Sequence, residues 1–395
     1  VTARRNTWER KQCSEEGSGW GWSAAGQGAF IGAVHRIAAR LDDRFELVAG
    51  ALSSDSERAR ASAVEAGIAR SYADWREMAR AEAAREDGID AVAIVTPNHL
   101  HAPVATAFLE AGIHVICDKP LAVSLAEGEA LAKLAQSKKR LFALTHTYSG
   151  YPLVRHAREL VERGELGEIR VVQVEYAQDW LAEPVETGGA NRQAGWRTDP
   201  ALAGPAGCLG DIGTHAYQLA AFVTGMMPRA LSAELHTFVP GRRVDDHVQA
   251  MLRYANGARG MLWASQVACG AENALRLRVY GTKAGLAFDQ EEPNALWFTP
   301  LGGAAERLTR ARVNSQVAAH ATRVPAGHPE GYLEAFAQLY QDAALQIDAL
   351  NDGRAPPAES LLLTTVDDGV DGLRFIDAVL KSSAADGRWV QMEGA

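Results

Sequence analysis

The sequence predicts a two-domain α/β protein: a doubly wound parallel sheet first, then an α+β domain on an open, mainly antiparallel sheet. Three observations predict it. At 395 residues the chain exceeds the usual size of one hydrophobic core. Up to about His146, short and almost wholly apolar strands alternate with amphipathic helices, as a parallel sheet covered on both faces requires. Beyond Gly150 the strands alternate apolar and polar residues instead, the pattern of a sheet with one covered face. The expected divisions are an irregular segment at 1–25, the doubly wound domain at 26–148 and the second domain at 149–395.

In the first domain, strands are expected at 45–52 (FELVAGAL), 91–96 (AVAIVT), 114–117 (HVIC) and 141–146 (LFALTH). Helices are expected between them at 57–67, 101–112 and 124–137. Asn98 and Ser124 are placed to cap helix starts, and Gly67 and Gly112 to stop helices. The second domain opens with a helix at 154–167 and a long strand at 169–180. Further strands follow at 231–239, 247–255, 258–267 and 274–281, two of them joined by a hairpin turn at Ala255-Asn256-Gly257. Two helices, at 330–351 and 359–381, flank Pro356-Pro357. No internal repeat is visible.

Composition narrows the function. The net charge of −9 leaves no basic excess to neutralise phosphates, so nucleic acid is not expected as a partner. The four cysteines are widely spaced and form no CxxC pair, so neither a disulfide framework nor a metal site is expected, and a reducing cytoplasm suits them best. No apolar run reaches the roughly 20 residues that span a bilayer. The Arg4-Arg5 pair lacks the apolar stretch that an export signal needs behind it.

Four short stretches carry chemistry. GQGAFIG (26–32) precedes a helix, and such loops let backbone N–H groups approach a pyrophosphate; Gly26, Gly28, Phe30 and Ile31 would line it. A purely structural turn has the same signature. Thr96, Pro97 and Asn98 follow one strand, and Asp118 and Lys119 follow another, at the sheet edge where ligands of open parallel sheets bind. His101, one turn further on, faces either that cleft or the surface. In GCLGDIGTHAYQLAAFVTG (207–225), Asp211 and His215 are spaced i, i+4, hence share a helix face. Histidine exchanges a proton near neutral pH, and a carboxylate beside it orients the ring. A capping aspartate with a packed histidine would look alike.

Taken in order, TPNHLH, HVICDKPLA and GDIGTHAYQL, with GRWV at 387–390, resemble the glucose–fructose oxidoreductase / inositol dehydrogenase / rhizopine-catabolism (Gfo/Idh/MocA) family over nearly the whole chain from Gly26. The resemblance implies an N-terminal Rossmann domain binding NAD or NADP and a C-terminal domain for substrate binding and oligomerisation. Lys119 matches the lysine of the family's Glu-Lys-Pro motif, with Asp118 in place of the glutamate. Asp211 and His215 match its substrate-binding aspartate and catalytic histidine. Tyr148, Trp196 and Arg197 are expected to reach the substrate. The implied reaction moves hydride between a secondary hydroxyl of a sugar, glycoside or inositol-type polyol and nicotinamide. His215 would take the hydroxyl proton, Lys119 would stabilise the alkoxide, and Asp211 would orient His215 or a hydroxyl. A homodimer or homotetramer is expected. Two other readings share the fold: a glycosidase that retains its NAD, and a non-catalytic sugar-sensing regulator.

The second strand ends LSSDSER (52–58), with Ser53 where NAD-selective enzymes carry an acid for the ribose 2′-hydroxyl. Ser53, Ser54 and Arg58 could instead hold a 2′-phosphate, which leans towards NADP or dual use. The family pattern breaks before Gly26. Residues 14–25 read SEEGSGWGWSAA, without the apolar strand expected there. One back-translation of Gly17–Gly28, read from the third base of its first codon, gives Leu-Arg-Leu-Gly-Met-Val-Gly-Gly, an apolar strand entering a glycine turn. Loss of one G afterwards restores the printed frame, so residues 1–25 are expected to be a frame-shifted and irregular reading.

Overall fold

The computed structural model describes residues 18–23, 30–187 and 191–392, without the side chains of 18–23, Phe30 and Arg192. Two compact units divide the chain: the first takes 1–122, 126–150 and 332–370, the second takes 123–125, 151–331 and 371–395.

The first unit holds β1 (Ser18–Ser23), α1 (Phe30–Leu41), β2 (Phe45–Ala51), α2 (Ser56–Ala66), β3 (Arg70–Ser71), α3 (Trp75–Ala83), β4 (Ala91–Ile94), α4 (His101–Glu110), β5 (His114–Cys117), α5 (Leu125–Lys138) and β6 (Phe142–Leu144). Its six strands lie in the order β3-β2-β1-β4-β5-β6, all paired in parallel. The order reverses between β1 and β4, the switch point where such sheets bind ligands. Gly67 ends α2 in the left-handed conformation, at φ 68°. Asn98 does not cap α4 as expected. It opens a 3-10 turn, Asn98–Leu100, and Leu100 takes the cap position without a side-chain bond.

Strand β1 corrects the expectation of an irregular 1–25. It pairs with β2 at Ser18↔Phe45 and with β4 from Trp20↔Ala91 to Ser23↔Ile94. A ladder is made of backbone N–H and C=O groups, which serine, glycine and tryptophan all supply. Two apolar strands flanking the slot suffice to recruit a segment without strand-like composition. Residues 1–17 and 24–29 lie outside those described.

The second unit begins with α6 (Pro152–Glu162), β7 (Ile169–Ala177), α7 (Arg192–Arg197), α8 (Pro200–Ala203) and α9 (Thr214–Thr224). Seven strands follow: β8 (Pro228–His236), β9 (His247–Tyr254), β10 (Arg259–Ser265), β11 (Ala274–Gly281), β12 (Ala284–Asp289), β13 (Ala295–Pro300) and β14 (Glu306–Thr309). After them in the chain come α10 (Gln316–His320), then α11 (Tyr332–Asp352), which lies in the first unit, α12 (Val366–Ser383), most of which lies in the second, and β15 (Val390–Gln391). The nine-stranded sheet runs β14-β13-β12-β11-β7-β10-β9-β8-β15. Only its β7–β10 pair is parallel among the described strands. Alternation holds as expected: in β9, Val248, Ala250, Leu252 and Tyr254 are buried, with Gln249, Met251 and Arg253 exposed.

The expected boundary at 149 fails for α11, which belongs to the first unit. Phe336, Tyr340, Ala343 and Ile347 recur at helical spacing and join one core with Val34 and Ala38 of α1 and with Phe45 and Leu47 of β2. A buried hydrogen bond of 2.7 Å links His35 Nδ1 and the Tyr340 hydroxyl. Sequence order misleads here because the apolar stripe of α11 does not declare which sheet it covers.

Candidate active site

In the first unit the candidate residues gather at the carboxyl edge of β4, β5 and β6. Thr96 and Asn98 are buried there, and Pro97, Asp118 and Lys119 are half-buried. Asp118 Oδ1 accepts the Lys119 amide at 2.9 Å and the Thr145 hydroxyl at 3.1 Å, which holds the turn that presents Lys119. The Lys119–Pro120 peptide is cis.

His101 faces neither cleft nor surface, which corrects its assignment to the cofactor. Its ring is buried, with Nδ1 2.7 Å from the Pro120 carbonyl oxygen and Nε2 2.9 Å from that of Thr96. It ties the turn after β4 to the turn after β5. Burial lowers its pKa while the Asp118 carboxylate opposes the shift. Behind Lys119, burial and then the Lys119 ammonium push His146 down to about 3. Tyr148 is buried in a 3-10 turn, Thr147–Gly150, its ring 6.4 Å from that of Tyr332.

The structure fits a dinucleotide at this edge. The Thr96 hydroxyl is buried beside the switch point without a hydrogen-bond partner among the described residues. A buried hydroxyl in that state is costly unless a ligand engages it. Ile31 is half-buried in the first turn of α1; Gly26 and Gly28 lie outside the described residues, as does the Phe30 side chain. At the end of β2, Ser53 is half-buried and Ser54 and Arg58 are exposed. Ser53 Oγ accepts the Asp55 amide at 3.1 Å, and Asp55 caps α2 by accepting the Arg58 amide at 2.8 Å. The acid nearest this corner is thus engaged as a helix cap.

In the second unit, Asp211 and His215 lie on one continuous helical segment, but not on the plain α-helix expected. Asp211 belongs to a π turn, Leu209–Gly213, and His215 to the first turn of α9. π turns inside helices often mark functional sites. Gln266 Nε2 donates to Asp211 Oδ2 at 2.9 Å, and Arg197 Nε lies 3.5 Å from the same oxygen. The Arg197 guanidinium stacks on Trp196, 4.3 Å from the ring centroid. His215 is 8 % exposed, its ring 6.2 Å from that of Tyr176. The expected Asp211, His215, Trp196 and Arg197 therefore share one neighbourhood. Gln266 and Tyr176 escaped the sequence reading. Their only signal was a polar residue at the end of an apolar strand. Among the described residues no cluster of three or more His, Cys, Asp or Glu is placed to hold a metal. No helix there is long and apolar enough to cross a membrane.

The second unit offers an imidazole to exchange a proton and an oriented carboxylate; the first offers a lysine at its sheet edge. Known proteins carry the same framework. Residues 24–146 match the oxidoreductase family with an NAD-binding Rossmann fold, and 154–287 match the GFO/IDH/MocA C-terminal domain. An oxidoreductase from Sinorhizobium meliloti is 48 % identical with a TM-score of 0.85, covering 95 % of this chain and 100 % of its own. An inositol dehydrogenase homologue from Azotobacter vinelandii, solved with NADH and myo-inositol, is 35 % identical with a TM-score of 0.87 over 94 % and 97 % of the two chains. Levoglucosan dehydrogenase of Pseudarthrobacter phenanthrenivorans is 32 % identical over 68 % of this chain and 73 % of its own.

Proposed function

The chain belongs to the Gfo/Idh/MocA family of NAD(P)-dependent oxidoreductases, and from that premise we propose that it oxidises a secondary hydroxyl of a cyclic polyol or pyranoside. The observation that carries this reading is the π-to-α segment holding Asp211 and His215, with Gln266 and Arg197 on the Asp211 carboxylate. The relatives that bind myo-inositol or act on levoglucosan indicate the substrate class.

The bound nicotinamide supplies hydride acceptance. Thr96, Pro97 and Asn98 and the turn carrying Asp118 and Lys119 hold the nucleotide on this chain. His215 takes the proton from the substrate hydroxyl, a contribution of ~10²–10⁴ in rate for a placed base. Lys119 stabilises the negative charge that develops on that oxygen. Asp211, fixed by Gln266, orients a neighbouring hydroxyl or the imidazole. Ser53 in place of an acid favours NADP or dual use. Apolar residues exposed on the second sheet favour a homodimer or homotetramer, and widely spaced cysteines suit a reducing cytoplasm.

A screen of inositols and pyranosides with each nucleotide, following absorbance of the reduced cofactor, tests the reading. Turnover is expected on at least one polyol, with a KM for NADP no higher than that for NAD. His215→Ala and Lys119→Ala are expected to lose nearly all of it while circular dichroism stays unchanged. Near-normal turnover in either variant refutes the assignment. Release of sugar from a glycoside without net reduction of cofactor replaces it with an eliminating glycosidase.

A further inference from the structure

Two adjacent carboxylates, Asp245 and Asp246, close the segment between β8 and β9, and the chemistry above uses neither. Both are buried, at 7 % and 1 % exposed. A buried carboxylate is costly unless donors surround it, so its partners reveal what the burial achieves.

Asp245 holds the approach to the catalytic pair. Its Oδ1 accepts the Gly207 amide at 2.7 Å, its Oδ2 accepts the Leu209 amide at 2.7 Å, and its main-chain oxygen accepts the Cys208 amide at 2.9 Å. One residue fixes three successive amides, and the Gly207 carbonyl then accepts the Asp211 amide at 2.9 Å. The approach is so close that a Cβ at Gly207 would strike the Asp245 carbonyl oxygen, so glycine is required there.

Asp246 serves a different segment. Its carboxylate accepts the Phe238 and Val239 amides at 2.9 and 3.0 Å and Arg242 Nη1 at 3.2 Å. The Arg242 guanidinium is wholly buried. It donates to the carbonyls of Leu181 and Glu183 at 2.9 and 3.2 Å and to the Glu186 carboxylate at 2.9 and 3.0 Å. Those residues begin the loop that leads to Trp196 and Arg197.

We propose that Asp245 and Asp246 are positioning residues with separable tasks: Asp245 sets the π turn bearing Asp211 ahead of His215, and Asp246, through Arg242, sets the loop at 181–187. The assignment of separate kinetic effects rests on the dehydrogenase reading above.

Burial pushes Asp245 up to about 6, against the pull of its amide donors, and the Asp246 carboxylate adds to the rise. The titratable groups against Asp245 are Asp246 beside it and the Cys208 thiol; burial, then the Asp245, Asp211 and Asp246 carboxylates, hold that thiol protonated. Protonation converts one accepting oxygen into a hydroxyl donor, so one of the two amides loses its partner as pH falls through about 6. The folded protein binds this proton more readily than the unfolded chain, so the event loosens the turn without itself unfolding the protein.

Two readouts test the proposal on the full chain. Hydrogen exchange, corrected for intrinsic rates, is measured between about pH 5 and about pH 8 on peptides covering 207–215 and 181–187. In the wild type, protection of 207–215 is expected to drop about tenfold across pH 6, the loss of roughly one hydrogen bond. In Asp245→Asn it is low and flat with pH, and Asp245→Glu restores part of the pH dependence. Arg242→Gln deprotects 181–187 and leaves 207–215 unchanged. In kinetics with myo-inositol and levoglucosan, Asp245→Asn lowers kcat about tenfold with little change in KM, and Arg242→Gln raises KM about tenfold with little change in kcat. Unchanged protection of 207–215 in Asp245→Asn, or both variants loosening both segments together, overturns the proposal. If the wild type oxidises neither polyol, the substrate reading fails, while the exchange data still decide the clamp.

Discussion

Gln266, one residue past the end of β10, donates from Nε2 to Asp211 Oδ2 across 2.9 Å, although 55 residues separate them in sequence. A hydrogen bond to a charged acceptor contributes about 1.5–3 kcal/mol. Gln266→Leu keeps the bulk and removes the donor. It is expected to lower kcat/KM for the polyol by about 10–100-fold, while circular dichroism stays unchanged. Unchanged steady-state kinetics would show that Asp211 needs no orienting partner.

Gly150 packs against the backbone of α11, where an added Cβ would run into the Ala335 carbonyl oxygen. Backbone cannot yield as a side chain tip can. Gly150→Ala should therefore destabilise the first unit by about 1–3 kcal/mol, the usual cost of overpacking. Equilibrium urea unfolding measures it, and a midpoint equal to the wild type contradicts it.

Acid should weaken the first unit before it reaches ordinary carboxylates. Burial lowers His35 from 6.5 to about 4 and His146 from 6.5 to about 3. Both imidazoles are neutral in the fold, so the unfolded chain binds more protons below pH 6.5. Their contribution is fully present above that pH and is lost progressively towards 4 and then 3, on the order of 3 kcal/mol for His35 alone. Urea midpoints at about pH 7.5, 6 and 5 should fall in that order, with a shallower fall for His146→Gln. Asp245 carries the opposite sign. A midpoint that stays level across this range would mean that water reaches the rings.

One face of the second sheet exposes Val171, Met251, Met261, Tyr280 and Trp297. Strand register places Met251 opposite Met261 and Val171 opposite Tyr280, two apolar pairs on that face with Gln173, Arg259 and Arg278 between them. Large apolar residues exposed together on one face favour association. If the proposed homo-oligomer forms through this face, Met261→Lys puts a charge among these residues and should lower the sedimentation coefficient. An unchanged sedimentation coefficient would place the contact elsewhere.

Much of this was legible in the sequence because it depends on local order. Lys119, Pro97 and Asn98 follow apolar strands, and strand ends in a parallel sheet share an edge. Asp211 and His215 are close because four residues of helix keep them close. What stayed hidden depends on register between distant segments. Gln266, Asp245 and Arg242 look like ordinary polar residues until β9 and β10 are laid side by side. His101 was illegible for another reason: only the cross-connection to Pro120 shows that its ring is enclosed. For β1, composition pointed away from a strand while its neighbours left a strand-shaped gap. Sequencing the gene across residues 14–28 decides whether the printed segment or a shifted frame fills it.

The return of α11 to the first unit also has a consequence in time. Phe336, Tyr340 and Ile347 complete a core whose members Val34, Ala38, Phe45 and Leu47 were made about 300 residues earlier. At ~5–20 residues per second, a ribosome leaves that apolar surface uncovered for ~15–60 s. During synthesis the nucleotide-binding half must therefore wait, partly open, for the end of the chain, and chaperone supply rather than intrinsic stability should set the yield of folded protein.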